Sequence, residues 1–197
     1  MRIISGTARG VPITCPKTLT RPTSDRVREA VFSILGPSRI RNASVLDLFA
    51  GSGGLGLEAL SRGAKGALFV DQSSTACQAI RANLEKTRLD GGTVRKSSVS
   101  RFLKQFAGSS KVDLIFADPP YKRKPEEPDH TTGLLDSTSG LAGCLSSDGV
   151  FVLECSVDTS PPQAPGWADI DRRDYGNTRI VFYAFVTSSS SQTPPGP

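Results

Sequence analysis

The chain has 197 residues, 37% of them hydrophobic, which suits one domain with a sizeable core and at most a small appendage. No run of about 18 apolar residues occurs, and Met1-Arg2-Ile3-Ile4-Ser5-Gly6 lacks the apolar stretch of a signal peptide, so a cytoplasmic protein without membrane contact is expected. Net charge is +5, but residues 1–45 hold eight Arg and Lys against two acids, while the remainder is nearly balanced at 16 against 17. An excess confined to the first quarter of the chain points to a polyanion, with nucleic acid favoured over a merely solvated surface. Cys15, Cys77, Cys144 and Cys155 are scattered with no CxxC pair. That argues against a disulfide framework and a zinc site, and no metal is expected.

Residues 2–5 and 11–14 flank Gly6-Thr7-Ala8-Arg9-Gly10, which predicts a short hairpin, edge-like because of Pro12. Ser24 can N-cap a helix carrying Asp25 in its first turn and Val27, Ala30, Val31, Ile34 and Leu35 at helical spacing, stopped by Gly36-Pro37. Arg21, Arg26 and Arg28 lie around its start, off that stripe, where they face either a phosphate backbone or solvent.

From residue 44 the pattern alternates. Strands are expected at 44–49, at 66–70 ending in Asp71, at 93–96, 112–117 and 150–155, near 168–173, and at 178–186. Helices are expected at 54–62, 73–87, 99–106 and 132–145, with Gly140 and Gly143 weakening the last. Such alternation predicts an α/β fold whose parallel sheet is covered on both faces. The final pair of strands, joined at Tyr175-Gly176-Asn177, should be antiparallel. Residues 122–130, with Pro125 and Pro128, read as a mobile loop, and residues 188–197 as a disordered tail. The chain thus divides into a basic hairpin and helix (1–43), an α/β domain (44–187) and the tail (188–197).

Two motifs carry chemistry. Gly51-x-Gly53-x-x-Gly56 after a strand, with Asp71 after the next, fits a nucleotide-binding loop whose acid accepts ribose hydroxyls. That pattern alone does not separate a nicotinamide enzyme from one using S-adenosylmethionine. Asp47, four residues before Gly51, disfavours a pyrophosphate and suits the ammonium of a methionine moiety. The single histidine, His130, reads as a solvated loop residue rather than a hydride-transfer acid. The second motif is Asp118-Pro119-Pro120-Tyr121 at the end of the 112–117 strand. Asp118 can accept one N–H of an exocyclic amine and the Pro119 carbonyl the other, which aims the nitrogen lone pair at a methyl donor. Proline stiffens the turn, and Tyr121 offers a ring for stacking, a contact of about 1–3 kcal/mol per base. A base in a duplex must first be extruded.

The chain resembles the RsmD-type methyltransferases, which methylate N2 of a guanine in bacterial small-subunit ribosomal RNA. The resemblance runs from about Arg2 to Phe185. It rests on Arg2-Ile3-Ile4-Ser5-Gly6 with Arg9-Gly10, on Arg21-Pro22-Thr23-Ser24-Asp25-Arg26-Val27-Arg28-Glu29, on the stretch from Asp47 through the glycine loop to Ala64, on Asp118 through Tyr121, and on Tyr175-Gly176-Asn177-Thr178. The Arg-Pro-Thr block is the most discriminating of these. The resemblance implies a class I S-adenosylmethionine-dependent methyltransferase fold, Rossmann-like, with a seven-stranded mostly parallel sheet and an N-terminal hairpin. It implies that Asp47, Phe49, Ala50, Gly51, Ser52, Gly53, Gly56, Asp71, Gln72, Ser98 and Val99 hold S-adenosylmethionine. Asp118, Pro119, Pro120 and Tyr121 would hold the target guanine, and Arg2, Arg9, Arg21, Thr23, Arg26 and Arg28 would meet RNA. Where the family tends to place Asp or Asn against the adenine amino group, this chain has Ser98. A monomer acting on small-subunit RNA in an assembling 30S particle is the implied arrangement. An adenine-N6 methyltransferase, an inactive RNA-binding assembly factor and a nicotinamide oxidoreductase are the competing readings.

Overall fold

The structure is a computed structural model that describes residues 1–16, 23–120 and 130–186. Arg21, Tyr121, nearly all of the 122–130 loop and the 188–197 tail therefore lie outside the described residues.

The apolar runs form seven strands: β1 (Ser44–Leu48), β2 (Gly66–Asp71), β3 (Gly92–Lys96), β4 (Val112–Ala117), β5 (Leu145–Ser156), β6 (Trp167–Tyr175) and β7 (Thr178–Phe185). Their order across the sheet is β3-β2-β1-β4-β5-β7-β6. β1 through β5 pair in parallel, while β7 runs antiparallel to both β5 and β6, as the sequence led one to expect. Side chains alternate across a strand, so each strand feeds two cores. On one face, Val45, Leu114, Phe116, Val150, Val152, Ile180 and Phe182 pack with α1 (Asp25–Ile40), α2 (Gly54–Ser61), α3 (Ser74–Thr87) and the N-terminal turn. On the other, Leu46, Ile115, Phe151, Leu153 and Val181 pack with α4 (Val99–Phe106) and α5 (Leu141–Cys144). No helix among the described residues is long and apolar enough to cross a membrane.

The N-terminal hairpin is a tight turn closed by one antiparallel bridge, Arg2 with Pro12. It is docked on α2: Glu58 accepts the Ile4 and Ser5 amides at 2.8 and 3.0 Å, and the Ser61 carbonyl accepts the Thr7 amide at 2.8 Å. Gly6 permits this approach. With φ +84, a Cβ there would stand 1.8 Å from the Ser61 carbonyl oxygen.

Two expectations about elements need correction. The first helix breaks at Gly36 (φ 70, ψ 161), but Pro37 opens a further turn to Ile40, because proline suits a first helical position. The helix expected over 132–145 does not form. A 3-10 turn (Thr132–Leu134) and the one-turn α5 replace it, split by Gly140 at φ 84, where a Cβ would lie 2.9 Å from the Leu103 carbonyl. Consequently β5 starts at Leu145 rather than 150, and a register shift against β4 absorbs the extra length.

Candidate active site

In an open parallel sheet, ligands sit beyond the carboxyl ends of the strands where the strand order reverses. Here that point lies between β1 and β4, neighbours in the sheet with α2, β2, α3, β3 and α4 between them in sequence. A cleft of about 1490 Å³ opens there. Small-ligand pockets occupy about 300–1,000 Å³, so this one accommodates a nucleoside cofactor and a base together.

The glycine loop makes one wall. Phe49 holds φ 54, left-handed backbone for a residue with a side chain, and Gly51 and Gly53 follow at φ 56 and 79. The turn is pinned by the acids the sequence singled out. Asp71 accepts the Gly51 amide at 2.9 Å and the Ser73 amide at 2.8 Å. Asp47 accepts the Gly56 amide, at the start of α2, at 2.9 Å. A Cβ on Gly56 would come within 2.3 Å of the Phe69 ring and 3.0 Å of the Asp47 carboxylate, so glycine is needed for α2 to approach the sheet. Phe49, Ala50, Gly51, Ser52, Asp71, Gln72, Ser98 and Val99 all line the cleft, whereas Gly53 and Gly56 shape the loop behind it. Ser98 N-caps α4, and its side chain makes no capping hydrogen bond.

The opposite wall comes from β4 and β5. Asp118 and Pro119 follow directly on β4, with Pro119 buried and Asp118 partly open to the cleft. Alternation places Asp47, Asp118 and Glu154 on the same side of the sheet, because Asp47 pairs with Phe116 and Ala117 with Leu153. The Thr23 hydroxyl, at the entry to α1, joins two of them. It donates to Glu154 Oε2 at 2.8 Å and lies 3.3 Å from Asp118 Oδ2. Burial, and then the Glu154 charge, hold the Asp118 carboxyl well above the usual carboxylate range, against the Thr23 hydrogen bond. Burial likewise pushes Asp47 up to about 8, opposed by the Gly56 amide and reinforced by Asp71. Asp47, Asp71, Asp118, Glu154 and Asp158 line one cleft, and such acids favour a cationic ligand and repel a pyrophosphate. The donor set therefore fits the sulfonium and ammonium of S-adenosylmethionine.

Glu154 was not singled out from the sequence, although an acid in the run Val150-Phe151-Val152-Leu153 is its own signal. The turn Tyr175-Gly176-Asn177-Thr178 also reaches the cleft. His130 lies beside the Phe49 ring, with centroids 5.9 Å apart.

Two residues expected to meet RNA stand elsewhere. Thr23 turns its hydroxyl inward to the acids. Arg28 is fully buried, donating to the Arg2 carbonyl at 2.6 Å and to Asp25 at 2.7 Å, with Glu58 at 3.7 Å, so it presents no surface to a phosphate. Arg2, Arg9 and Arg26 are exposed.

This sheet and this site define a class I S-adenosylmethionine-dependent methyltransferase. The family described as Conserved hypothetical protein 95 matches residues 1–184. YlbH of Bacillus subtilis (strain 168) is 36% identical over 187 residues, covering 93% of this chain and 98% of its own. Ribosomal RNA small subunit methyltransferase D of Escherichia coli (strain K12) is 37% identical over 169 residues, covering 84% and 79% respectively. The solved structure of yhhF from Escherichia coli superposes with a TM-score of 0.78 at 34% identity, covering 94% of this chain and 98% of that one. The chain belongs to the Conserved hypothetical protein 95 family of RsmD-type methyltransferases.

Proposed function

We propose that this protein transfers the methyl group of S-adenosylmethionine to the exocyclic N2 amine of a guanine in small-subunit (16S) ribosomal RNA. The observation that carries the reading is Asp118 and Pro119 at the end of β4, facing the glycine loop across one acidic cleft. The names of the relatives, which include a small-subunit ribosomal RNA methyltransferase, support the substrate class.

When bound, S-adenosylmethionine supplies an electrophilic methyl on a sulfonium. Asp47 and Asp71 hold its cationic and ribose ends, and Ser98 faces its adenine. A guanine amine is a poor nucleophile because its lone pair is delocalised into the ring. Asp118 accepts one N–H and the Pro119 carbonyl the other, which pyramidalises the nitrogen and aims its lone pair across the cleft. Alignment of this kind contributes up to about 7–11 kcal/mol in favourable intramolecular reactions. Asp118, with its raised affinity for protons, is suited to take the proton that the methylated nitrogen sheds. Tyr121 stacks on the extruded base, while Arg2, Arg9, Arg21 and Arg26 bind the RNA backbone. We place the substrate in an assembling 30S particle and the enzyme as a cytoplasmic monomer.

The test is transfer of labelled methyl to partly assembled small subunits, followed by nucleoside digestion. Label in N2-methylguanosine is expected. Label in N6-methyladenosine would assign the adenine reaction instead, and no label despite cofactor binding would favour an RNA-binding assembly role.

A further inference from the structure

The charge of the chain is uneven in a second place. Residues 72–104 hold seven Arg and Lys against two acids, Glu85 and Asp90, and the acids of the other strands and loops mask this surplus in the total. These residues build one margin of the molecule. β3 is the edge strand of the sheet, with α3 packed on one face and α4 on the other. Arg81, Arg95, Lys96, Arg101 and Lys104 are all exposed there. They gather toward the carboxyl ends of the strands. Lys96 ends β3 and pairs with Asp71, whose carbonyl accepts the Cys77 thiol of α3 at 3.5 Å. Arg81 follows Cys77 by one turn on the same side of α3. Arg101 lies in the first turn of α4, after Ser98, and Lys104 lines the cleft itself.

Local duties explain part of this. Arg95 and Lys96 guard an edge strand, and Lys104 meets the negative end of α4. Arg101 does the opposite, because a cation in the first turn opposes the helix dipole. None of the five is in an ion pair among the described residues, and Glu85, one turn beyond Arg81, does not bridge to it. At the opposite edge of the sheet the cations are neutralised in place: Arg172, Arg173 and Arg179 bridge to Asp169, Asp171 and Asp174. Like charges gathered without counter-charges repel one another, and a bound polyanion relieves that repulsion.

We propose that the β3 margin is a second RNA-backbone contact, on the far side of the cleft from the N-terminal hairpin. Met1, Ser24 and Val27 line the cleft on the hairpin side, and Ser100 and Lys104 line it on the α4 side. The exposed Arg2 and Arg26 thus stand on one bank and this margin on the other. A nucleotide turned out of its stack needs the phosphates on both sides of it held in register, and a grip on both banks does that. The assignment rests on the RNA substrate proposed above and deepens it by laying the strand across the mouth of the cleft from α1 to α4.

The test compares two triple variants of equal charge. Arg81→Gln, Lys96→Gln and Arg101→Gln together neutralise the β3 margin, whereas Lys111→Gln, Arg172→Gln and Arg173→Gln neutralise exposed positions away from it. Methyl transfer gives kcat and the KM for partly assembled small subunits. Titration over a range of salt gives the Kd for a 16S RNA fragment carrying the target. Each lost phosphate contact lowers the salt slope by about 0.7–0.9, so the first variant should lose about 2–3 in slope and bind about 10–100-fold more weakly near 0.1 M salt, with KM rising in step. Its kcat and cofactor Kd should stay within about threefold of wild type, and the second variant should keep every value. Equal losses in both variants would assign the effect to net charge and overturn the proposal, as would an unchanged slope in the first or a loss confined to cofactor affinity. Lysine acetylation of the wild-type protein needs no variant: the RNA fragment should shield Lys96 and leave Lys111 reactive. Equal reactivity of the two with RNA bound overturns the assignment. Shielding by assembled subunits but not by the fragment would give this margin to a protein of the subunit, and overturns it too. A wild type that binds the fragment and shields Lys96 without methylating any RNA would sink the methyl-transfer reading and leave the contact standing.

Discussion

Replacing Arg28 with methionine separates a structural arginine from an RNA contact. The side chain is fully buried at the junction of the hairpin, α1 and α2. Its guanidinium donates to the Arg2 carbonyl at 2.6 Å, to Asp25 at 2.7 Å and to the Gly54 carbonyl at 3.4 Å. Methionine fills much of the volume but strands the Arg2 and Gly54 carbonyls, at about 1–3 kcal/mol for each buried group left unsatisfied, whereas Asp25, 47% exposed, turns to water. Glu58 loses less, since Arg62 still donates to it at 2.7 Å along with the Ile4 and Ser5 amides. Removing Arg28 also relieves the burial of its own charge and of Nε, which has no hydrogen-bond partner among the described residues. The net loss should be about 3 kcal/mol. For a chain of this size that is roughly 6–12 °C in Tm. Thermal unfolding of Arg28→Met beside Arg26→Ala provides the comparison. Arg26 is exposed, and its loss should change stability by no more than about 0.5 kcal/mol while weakening RNA binding and its salt dependence. A Tm drop below about 2 °C in Arg28→Met, with weaker RNA binding and a shallower salt slope, would refute the structural assignment.

Other outcomes follow from single contacts. Gly6→Ala puts a Cβ 1.8 Å from the Ser61 carbonyl, so it should undock the hairpin and weaken RNA binding in gel-shift titration while cofactor affinity stays unchanged. Gly56→Ala drives a Cβ into the Phe69 ring and should cost about 1–3 kcal/mol in urea unfolding. Asp47 gives a pH signature. Its folded-state pKa, about 8, lies above the ordinary 3.8, so the folded protein holds the extra proton between these values. The stabilisation is fully present below about 3.8 and is lost as pH rises through about 8. Asp47→Asn should therefore flatten the fall in Tm across that window. A cationic cofactor binds the ionised form, so wild-type affinity measured by calorimetry should rise from about pH 6 to 8 and that of Asp47→Asn should not.

Much of the sheet was legible because parallel strands covered on both faces read as unbroken apolar runs, and residues 114–117 are such a run after the exposed Asp113. The glycine loop was legible for a local reason, since the positive φ at Gly51 and Gly53 falls on residues that tolerate it. Arg28 was misplaced because Phe32 was left out of the helical stripe. Phe32 is buried, and Arg28 lies one turn before it on the same face. Glu154 escaped notice because its meaning depends on strand order: only when β5 lies beside β4 does it meet Asp118. The apolar spacing of Leu134, Leu135, Leu141 and Leu145 suggested one helix, but Gly140 at φ 84 cannot continue one, and the leucines reach the same core from the 3-10 turn, α5 and the start of β5.

In the proposed reaction, Asp118 orients the reacting amine without holding the cofactor. The most direct measurement is the single-turnover rate of Asp118→Asn at saturating S-adenosylmethionine, with cofactor affinity determined in parallel. The rate should fall by about 10²–10⁴-fold while the cofactor Kd stays within about threefold of wild type. A near-wild-type rate would remove Asp118 from the mechanism, and a matching loss of cofactor affinity would move it to the other side of the cleft.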